Sequence, residues 1–564
     1  MRLLTLSAAL LTGVALSACV TADLPPAGQP SSTERPAAAA PFAFSAERLS
    51  ADTRALSDDS FQGRGIATPA EQMTVDYMVR GFQAAGFQPG GENGGWTQSV
   101  ALNRFTASNV QARLNVGGQT IPLTQGQQIV ASTRLPGSKV DLKNAPLVFV
   151  GYGTKASERN WDDFKGTDVR GKVIVVLVND ADFEEPALNT FNGRDMTYYG
   201  RWTYKYEEAA RQGAAGVLIV HETAPASYGW QTVANSWTGP QFDIVRENAA
   251  AERIPLEAWI QRDVAVDLFR RAGQDFEALK VKARSRDFQP VTLQGATLDA
   301  SMDVATSRIT TRNVIARLPG SRFPNETILY TGHWDHIGVG APNAEGDGVF
   351  NGAVDNASGI AGLLELARAF AAGPRPQRSV VMIGFTAEES GLLGSEFYAA
   401  NPLFPLETTV GGFNIDAMNT YGRVREYALR GQGQSTLDEL LGGYVVQQGR
   451  ALATNVDNSG GVYFRSDHFP LAKRGVPMGY AAGVGEFRDE PVADRQRLRQ
   501  EYTARRYHQA DDEWLPEMDF RGAAEDLEVI FRAGQDLANS RHWPTWKPGS
   551  EFGPARERSA SARR

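Results

Sequence analysis

Apolar runs alternate with amphipathic stretches between residues 306 and 540, which is the pattern of an α/β domain. The runs at 327–331 (TILYT), 379–385 (SVVMIGF) and 410–415 (VGGFNI) predict central strands of a mostly parallel sheet. Residues 358–372 carry apolar side chains at helical spacing and predict an amphipathic helix. The predicted fold class is therefore α/β, with a mostly parallel, doubly wound sheet flanked by helices.

Two other folded blocks are predicted before this one. Residues 44–115 include a helix that begins at Pro69 and ends at Gly86. Residues 116–305 have their own alternation of strands and helices, and they contain no cluster of candidate metal ligands. The strands are expected at 147–153, 172–178 and 216–220, and a helix at 204–212. We predict that this second block is an inserted lobe that covers one side of a cleft.

Both ends of the chain are predicted to lie outside the folded blocks. An apolar run at 3–16 leads into Leu-Ser-Ala-Cys, which is typical of a lipoprotein signal peptide in which Cys19 is acylated. A plain signal peptide that is cleaved elsewhere is the alternative. Residues 20–43 predict a flexible tether, and residues 541–564 predict a basic, disordered tail. We therefore expect an exported protein, either in the periplasm or outer membrane as a lipoprotein, or secreted.

Composition narrows the functional classes. The chain has 564 residues, a net charge of −8, 42% hydrophobic residues and 22% charged residues, as ordinary soluble globular proteins have. The net negative charge argues against binding of nucleic acid, because a nucleic-acid-binding protein normally has a basic face. Cys19 is the single cysteine, so no internal disulfide can form. The oligomeric state stays open.

Ionisable side chains follow each predicted central strand at the point where the strand ends. Because the carboxyl ends of parallel strands border one crevice, these segments should meet. The candidates are His333, Asp335, Asp355, Glu388, Glu389, Asp416, Tyr507 and His508. One carboxylate after a strand is usually a cap or a solvated loop residue, but several that converge would repel one another without a cation. We predict a bound divalent metal, and the mixed imidazole and carboxylate ligands suit zinc, with cobalt or manganese as substitutes.

The strings around these residues resemble metallopeptidase family 28, which includes dizinc aminopeptidases and glutamate carboxypeptidases. The matching strings are GHWDHIG, NGAVDNASG, TAEESGLLGS, NIDAMN, SDHF and YHQADDE. The resemblance implies the zinc exopeptidase fold, with residues 44–115 and 306–540 forming the peptidase domain. The strand order of residues 116–305 resembles the β-rich protease-associated domain that is inserted in several exopeptidases. Asp355 lies 22 residues after His333, so we expect a longer loop at the rim than in the shortest members.

The resemblance also implies a role for each candidate residue. The implied ligands are His333 and Asp416 for one zinc ion, Glu389 and His508 for the other, and Asp355 as the bridge between both. Asp335 would orient the ring of His333, and Glu388 would act as the general base. Tyr507 would stabilise the oxyanion, unless it is only a packing aromatic. The remaining nearby histidines, His336 and His468, are expected to lie around the ligands or at the rim, and they receive no ligand role. A cis peptide bond between Asp355 and Asn356 is implied as well.

The expected activity is removal of N-terminal residues from peptides. A carboxypeptidase of the same family would share the metal centre, and it would need basic groups such as Arg465 to hold the substrate carboxylate. A non-catalytic binding relative is a further alternative, although the intact ligand set argues against it. A glutaminyl-cyclase-like enzyme would use one zinc ion, whereas His333 together with Asp335 favours two. The side-chain preference stays open because the pocket walls come from scattered loops.

Overall fold

The long strand Val291–Leu318 connects two halves of the computed structural model, which describes residues 42–489, 492–548 and 550–563. Its C-terminal part pairs antiparallel with Arg378–Phe385, and its N-terminal part pairs antiparallel with Lys139–Phe149. The border expected between residues 305 and 306 falls inside this strand. Cys19, the signal segment and nearly all of the tether lie outside the described residues, so the expectations about them stay predictions.

The half of the sheet that carries the candidate ligands is mainly parallel. Phe323–His333 lies between Arg378–Phe385 and Thr409–Asn414 and pairs parallel with both. Thr409–Asn414 in turn pairs parallel with Met478–Phe487. Every residue of the strands Arg378–Phe385 and Thr409–Asn414 is buried, because helices and loops cover both faces of the sheet. The predicted fold class, a mainly parallel α/β sheet flanked by helices, is confirmed.

One connected sheet contains most of the strands. In order across it, they are Ala451–Leu452, Val424–Leu429, Met478–Phe487, Thr409–Asn414, Phe323–His333, Arg378–Phe385, Val291–Leu318, Lys139–Phe149, Val173–Leu177, Gly216–His221, Leu256–Gln261 and Ile129–Ser132. Further strands of the same sheet pair outside this linear order, namely Gln88–Pro89, Thr97–Val116, Gln119–Leu123 and Gln241–Ile244. Short two-stranded ribbons join Lys155–Ala156 to Trp161–Asp162 and Gly338–Val339 to Val349–Phe350.

Helices cover the sheet on both sides. The α-helices are Ala46–Leu56, Pro69–Ala84, Trp202–Arg211, Thr223–Ala226, Trp230–Thr238, Ala249–Glu252, Arg262–Arg271, Phe276–Lys282, Ser358–Ala372, Leu393–Ala400, Leu437–Gln447, His468–Lys473, Val492–Glu501, Arg521–Asn539 and Gly553–Glu557. No helix in the described ranges combines the length and the apolar character that a membrane crossing requires.

The inserted lobe has hydrophobic cores of its own. Two clusters of buried apolar side chains, one from Phe105 to Val304 and one from Val130 to Trp259, fill it. The main core draws its buried residues from 49–102 and 314–538 instead. Because burial of separate apolar surfaces is what stabilises separate lobes, we call residues 105–304 the inserted lobe, and the predicted bounds 116–305 stay a prediction. The likeness of the lobe to a protease-associated domain stays a prediction.

Helix Ser358–Ala372 has the predicted bounds but a different environment. Nearly all of its residues are buried, whereas the sequence predicts one polar face. Helices Ala46–Leu56, Pro69–Ala84 and Arg521–Asn539 pack around it and leave no side open to water. Its buried Glu365 is neutralised by Arg48 and Arg368, which donate hydrogen bonds to the carboxylate. The packing of three helices therefore overrides the amphipathic expectation.

The expectation of a disordered tail at 541–564 is wrong for the part that the structure describes. Residues Gly553–Glu557 form a short helix, and Arg556 is buried. Its guanidinium donates hydrogen bonds to the carbonyl oxygens of Thr409 and Val410 at 2.8 and 3.1 Å. Phe552 packs in a cluster of buried aromatic side chains. One arginine of the tail thus satisfies carbonyl groups at the start of a central strand.

Candidate metal centre

Three neighbouring strands end at the same edge of the sheet, and each delivers candidate ligands there. His333 is the last residue of Phe323–His333 and lies in register with Phe385 of the adjacent strand. The chain beyond Phe385 turns sharply, with a positive φ of 55° at Ala387, and then presents Glu388 and Glu389. Asp416 follows the third strand, Thr409–Asn414. The structure thus brings together segments that are far apart in the sequence.

The ring of His333 faces two carboxylates. Its Nε2 atom lies 3.2 Å from Oδ1 of Asp355 and 3.5 Å from Oδ1 of Asp416. This nitrogen is buried and makes no hydrogen bond to a described residue. A buried ring nitrogen that points between carboxylate oxygens without bonding to them has the arrangement of a metal ligand.

The ring of His508 and the carboxylates that face it form a second group, similar to the group around His333. Its Nε2 atom lies 2.8 Å from Oε2 of Glu389 and 3.4 Å from Oδ2 of Asp355, and it too lacks a hydrogen bond within the described residues. Asp355 therefore directs one carboxylate oxygen to the first group and the other oxygen to the second. The five predicted ligand residues lie together, with Asp355 between the two histidines.

The backbone around Asp355 is held by Asp512. The carboxylate of Asp512 accepts hydrogen bonds from the backbone N–H groups of Val354 and Asp355, each at 3.1 Å. The peptide bond between Asp355 and Asn356 is cis, which confirms that expectation. Asp512 belongs to the YHQADDE string, but the sequence reasoning gave it no role.

Asp335 acts differently from the prediction. The Nδ1 atom of His333 lies 3.1 Å from the backbone carbonyl oxygen of Asp335 and 3.8 Å from its carboxylate. The carboxylate accepts hydrogen bonds from the backbone N–H groups of Glu388 and Glu389 at 3.1 and 3.4 Å. Because these two donors engage the carboxylate, the main chain of Asp335 orients the His333 ring instead. The Asp335 side chain positions the two glutamates.

The electrostatics of the cluster favour a cation. Burial raises the pKa of Glu388 well above its ordinary value. Burial opposes ionisation of Glu389 as well, but His508 and His336 stabilise its carboxylate and lower its pKa to about 2. Burial would lower the pKa of His333, yet the surrounding carboxylates, Glu388 foremost, raise it well above the normal value. In the protein alone, the imidazole of His333 thus favours its protonated form, and a bound dication would replace that proton.

Residues that the sequence reasoning missed surround the second group. The hydroxyl of Ser236 lies 2.8 Å from Nδ1 of His508, and Asn235 donates a hydrogen bond to the His508 carbonyl oxygen at 2.9 Å. Both belong to a helix of the inserted lobe, so no local pattern could have found them. His336 lies 2.6 Å from Oε1 of Glu389 through its Nδ1 atom. Unlike Ser236 and Asn235, His336 was named from the sequence, as a residue around the ligands or at the rim. His468 lies apart, among aromatic rings.

Tyr507 lies against His508, with a distance of 4.0 Å between the ring centroids. Its hydroxyl oxygen accepts a hydrogen bond from Nη2 of Arg465 at 2.8 Å. The guanidinium therefore holds the phenol at the edge of the cluster. A hydroxyl in this place has a free proton to donate to a group bound beside the candidate ligands.

A cleft of about 750 Å³ opens beside these residues. The peptidase side contributes Asp355, Glu388, Glu389, Asp416 and His508, and the inserted lobe contributes aromatic side chains, namely Tyr198, Trp202, Tyr206 and Trp237. The volume lies in the range of ordinary small-ligand sites, roughly 300–1,000 Å³. The inserted lobe thus forms one wall of the cleft that contains the candidate ligands.

A sequence model of a known family matches part of the chain. Residues 313–520 match the model of Peptidase family M28. This range includes all of the candidate ligands, so the resemblance of this part of the chain to metallopeptidase family 28 is confirmed.

Curated relatives match short segments of the chain. A "Probable zinc metalloprotease" of Pyricularia oryzae is 38% identical over 110 residues, which are 20% of this chain and 20% of that protein. "Leupeptin-inactivating enzyme 1" of Streptomyces exfoliatus is 29% identical over 198 residues, which are 35% of this chain and 41% of that enzyme. The chain spans about a fifth of the length of the first of these relatives and less than half of the second.

A solved structure resembles the whole fold. The aminopeptidase from Aneurinibacillus sp. strain AM-1 superposes with a TM-score of 0.52, and the match covers 88% of this chain and 94% of that enzyme. The sequence identity is 19%, so the likeness concerns the fold alone.

Proposed function

We propose that this protein is a zinc-dependent aminopeptidase with two metal ions. His333 and Asp416 would hold one zinc ion, Glu389 and His508 would hold the other, and Asp355 would contribute to both sites. The observation that carries the proposal is the pair of buried Nε2 atoms, on His333 and His508, that lack hydrogen bonds and face carboxylate oxygens on both sides of Asp355. The name of the Pyricularia relative, a probable zinc metalloprotease, supports zinc over other cations.

The donor set fits zinc on chemical grounds. Each proposed site combines one imidazole nitrogen with carboxylate oxygens, which are ligands that zinc accepts in catalytic centres. Each ring is oriented through its other nitrogen, by the Asp335 carbonyl oxygen for His333 and by the Ser236 hydroxyl for His508. Such outer contacts are typical of histidines that bind metals.

Glu388 is the proposed general base. A bound zinc pair would supply polarisation of the scissile carbonyl and a more acidic water molecule. Oε2 of Glu388 lies 4.0 Å from Nε2 of His333, beside the proposed ligands. Its carboxylate accepts a proton from the attacking water and delivers it to the departing amine, so that Glu388 acts twice in each turnover. The N–H group of Glu388 is held by Asp335, which fixes the position of the base.

Tyr507 is the proposed donor to the oxyanion. Its phenol carries a proton that it can direct to the tetrahedral oxygen, while Arg465 donates to the phenol oxygen and strengthens it as a donor. The alternative, a packing role, rests on the close contact between its ring and His508. A Tyr507→Phe variant separates the two, because it retains the ring and removes the hydroxyl.

The preference for the amino end rests on charge. Glu396 and Asp457 line the same cleft and are not among the proposed zinc ligands, so their carboxylates can attract a free ammonium group. The inserted lobe, which we propose is of the protease-associated type, closes one wall and limits access to chain ends. We further propose export, with Cys19 as the lipid-bearing residue, from the character of the N-terminal segment.

A panel of four peptides tests this function. They are Leu-Gly-Gly with both ends free, with the amine acetylated, with the carboxyl group amidated, and with both ends blocked. An aminopeptidase cleaves the first and third, and 1,10-phenanthroline abolishes the cleavage until zinc is returned. Cleavage of the acetylated peptide with a free carboxyl group would instead establish a carboxypeptidase. If none is cleaved while zinc binds, the protein is a binding relative.

A further inference from the structure

The two carboxylate oxygens of Glu389 face two different histidines. Its Oε1 atom lies 2.6 Å from Nδ1 of His336, and its Oε2 atom lies 2.8 Å from Nε2 of His508. The side chain of His336 is buried, and it lies close to Asp355 as well as to Glu389. Because an ionised carboxylate can only accept a hydrogen bond, the proton of the first contact lies on Nδ1 of His336. One oxygen of Glu389 is thus engaged by a donor of the protein, and the other faces a proposed zinc ligand.

The contact that His336 makes differs from the contacts of the two proposed ligand histidines. The Nε2 atoms of His333 and His508 face carboxylate oxygens but make no hydrogen bond to a residue that the structure describes. In both of these rings, the other nitrogen lies against a polar group of the protein. In His336, by contrast, the nitrogen that faces the carboxylate is the one that makes the hydrogen bond. The ring therefore has the contact of a residue that orients a ligand.

The fold provides a fitted place for this ring. A Cβ atom on Gly352 would lie 2.5 Å from Cγ and Cδ2 of His336, so the ring needs a glycine beside it. Gly352 also has a positive φ of 55°, which a glycine adopts without strain. Arg64 connects the two segments, since its guanidinium donates to the Gly352 carbonyl oxygen at 2.8 Å and its own carbonyl oxygen accepts from the N–H group of His336 at 3.4 Å.

We infer that His336 is a positioning residue that keeps Glu389 a ligand through one oxygen only. This inference rests on the proposed function and adds how the second zinc site stays open. A carboxylate can bind a metal ion through one oxygen or through both. The hydrogen bond from His336 engages Oε1, so Oε2 alone is left for an ion beside His508. Catalytic zinc sites keep one position open for water or substrate, and a second oxygen from Glu389 would fill it.

Two variants of His336 isolate this hydrogen bond. His336→Asn retains a donor, because its amide nitrogen can take about the place of Nδ1 and donate to Oε1 of Glu389. His336→Leu is apolar and has no donor. The control is His468→Leu, which removes another buried imidazole. The ring of His468 lies between aromatic rings, and within the described ranges its nitrogens make no hydrogen bond.

Competition with a fluorescent chelator measures the zinc affinity of each site. We expect His336→Leu to weaken one site by roughly 10–100-fold, the usual effect of losing a partner of a metal ligand, and to leave the other site unchanged. His336→Asn should recover most of this loss, and His468→Leu should bind zinc as the wild type does.

The visible spectrum of the cobalt-loaded protein tests the coordination. Absorption by Co²⁺ weakens as the ion gains ligands. Loss of the hydrogen bond frees Oε1 of Glu389 to join the ion, so His336→Leu should absorb more weakly per cobalt than the wild type, whereas His336→Asn should resemble the wild type. A residue that only supports the fold would leave the spectrum unchanged. Circular dichroism of the metal-free proteins checks their folding, and His336→Ala, which is smaller and has no donor, replaces His336→Leu if that variant does not fold.

Three results would overturn the inference. They are unchanged zinc affinities in the variant without a donor, an unchanged cobalt spectrum in that variant, and a loss in His336→Asn as large as in His336→Leu, which would make the imidazole itself a ligand. The outcome is separable from that of the proposed function. If the variants behave as expected but the wild type cleaves no peptide, the positioning role stands and the proposed activity fails. If the wild type is an active dizinc peptidase and His336→Leu binds metal as it does, only the positioning role fails.

Discussion

The hydroxyl of Ser236 lies 2.8 Å from Nδ1 of His508, so a side chain of the inserted lobe contacts a proposed zinc ligand. Asn235, on the same helix, donates a hydrogen bond to the carbonyl oxygen of His508 at 2.9 Å. A partner on the second nitrogen fixes the orientation and the tautomer of a ligating imidazole. The lobe therefore does more than line the cleft, since it contacts and positions one side of the proposed metal centre.

Ser236→Ala should weaken one zinc site. Loss of the hydroxyl leaves Nδ1 of His508 without its partner, and such changes typically cost roughly 10–100-fold in metal affinity. Competition with a fluorescent chelator measures the affinity of each site. Thr238→Val is a matched control, because its hydroxyl donates only to the carbonyl oxygen of Ala234 in the same helix. Equal zinc affinities in wild type and Ser236→Ala would show that the lobe does not support the centre.

Arg64→Met should destabilise the fold and the loops around the centre. The buried guanidinium donates to four carbonyl oxygens, those of Leu56, Trp334, Asn351 and Gly352, at 2.6–2.9 Å. Removing it leaves buried carbonyl groups without partners, so we expect the free energy of unfolding to fall by about 2–5 kcal/mol.

Denaturant titration measures that loss. Arg113→Met is the control, because it removes an exposed pair with Asp299 and should cost less than about 1 kcal/mol. Comparable losses in the two variants would refute a special role for Arg64.

Local sequence patterns predicted the strands and the candidate ligands because both depend on short-range order. The apolar runs at 327–331, 379–385 and 410–415 lie within buried strands, and each is followed by the ionisable residues that the structure brings together. Contacts between the lobes could not be predicted in this way. Ser236 and His508 are separated by 272 residues, and Ser236 belongs to a helix with no motif of its own.

The sequence also did not reveal which charged side chains are buried or which of their atoms make contacts. Arg201 is an ordinary basic residue in the sequence, and only the packing of the fold makes it a buried cation with no ion pair among the described residues. Asp335 was assigned a contact through its carboxylate, whereas the fold uses that carboxylate for the backbone of Glu388 and Glu389. Sequence motifs identify the residues of a site, but the surrounding turns decide which atoms of those residues make the contacts.

His468 should make the protein sensitive to acid. It is buried between Tyr463 and Tyr480, and burial lowers its pKa from 6.5 to about 3. The unfolded state therefore binds a proton that the folded state does not, so stability is complete above pH 6.5 and falls as the pH decreases toward 3.

Between pH 7.5 and pH 4 this group should lower the free energy of unfolding by about 3 kcal/mol. His468→Phe removes the titration and retains the aromatic packing, so its loss over the same interval should be smaller by about that amount. Denaturant titrations of both proteins at the two pH values give the comparison. Identical losses would mean that His468 does not titrate as described.

Glu388→Gln should lower kcat while the metal ions stay bound. The amide keeps the shape of the side chain but cannot accept the proton of the attacking water. We expect a loss of roughly 10²–10⁴-fold, the usual contribution of general acid–base catalysis. Steady-state kinetics on Leu-Gly-Gly measure the loss, and full activity of this variant would rule out the proposed mechanism.

The central claim, a pair of zinc ions held by five ligands, is tested most directly by the zinc content of purified protein. Mass spectrometry of the dialysed wild type, Glu388→Gln and Glu389→Gln gives zinc atoms per chain. We expect two in the wild type and in Glu388→Gln. We expect about one in Glu389→Gln, because that change removes a charged oxygen ligand beside His508. One zinc or none in the wild type, or two in Glu389→Gln together with a loss in Glu388→Gln, would contradict the proposed metal centre.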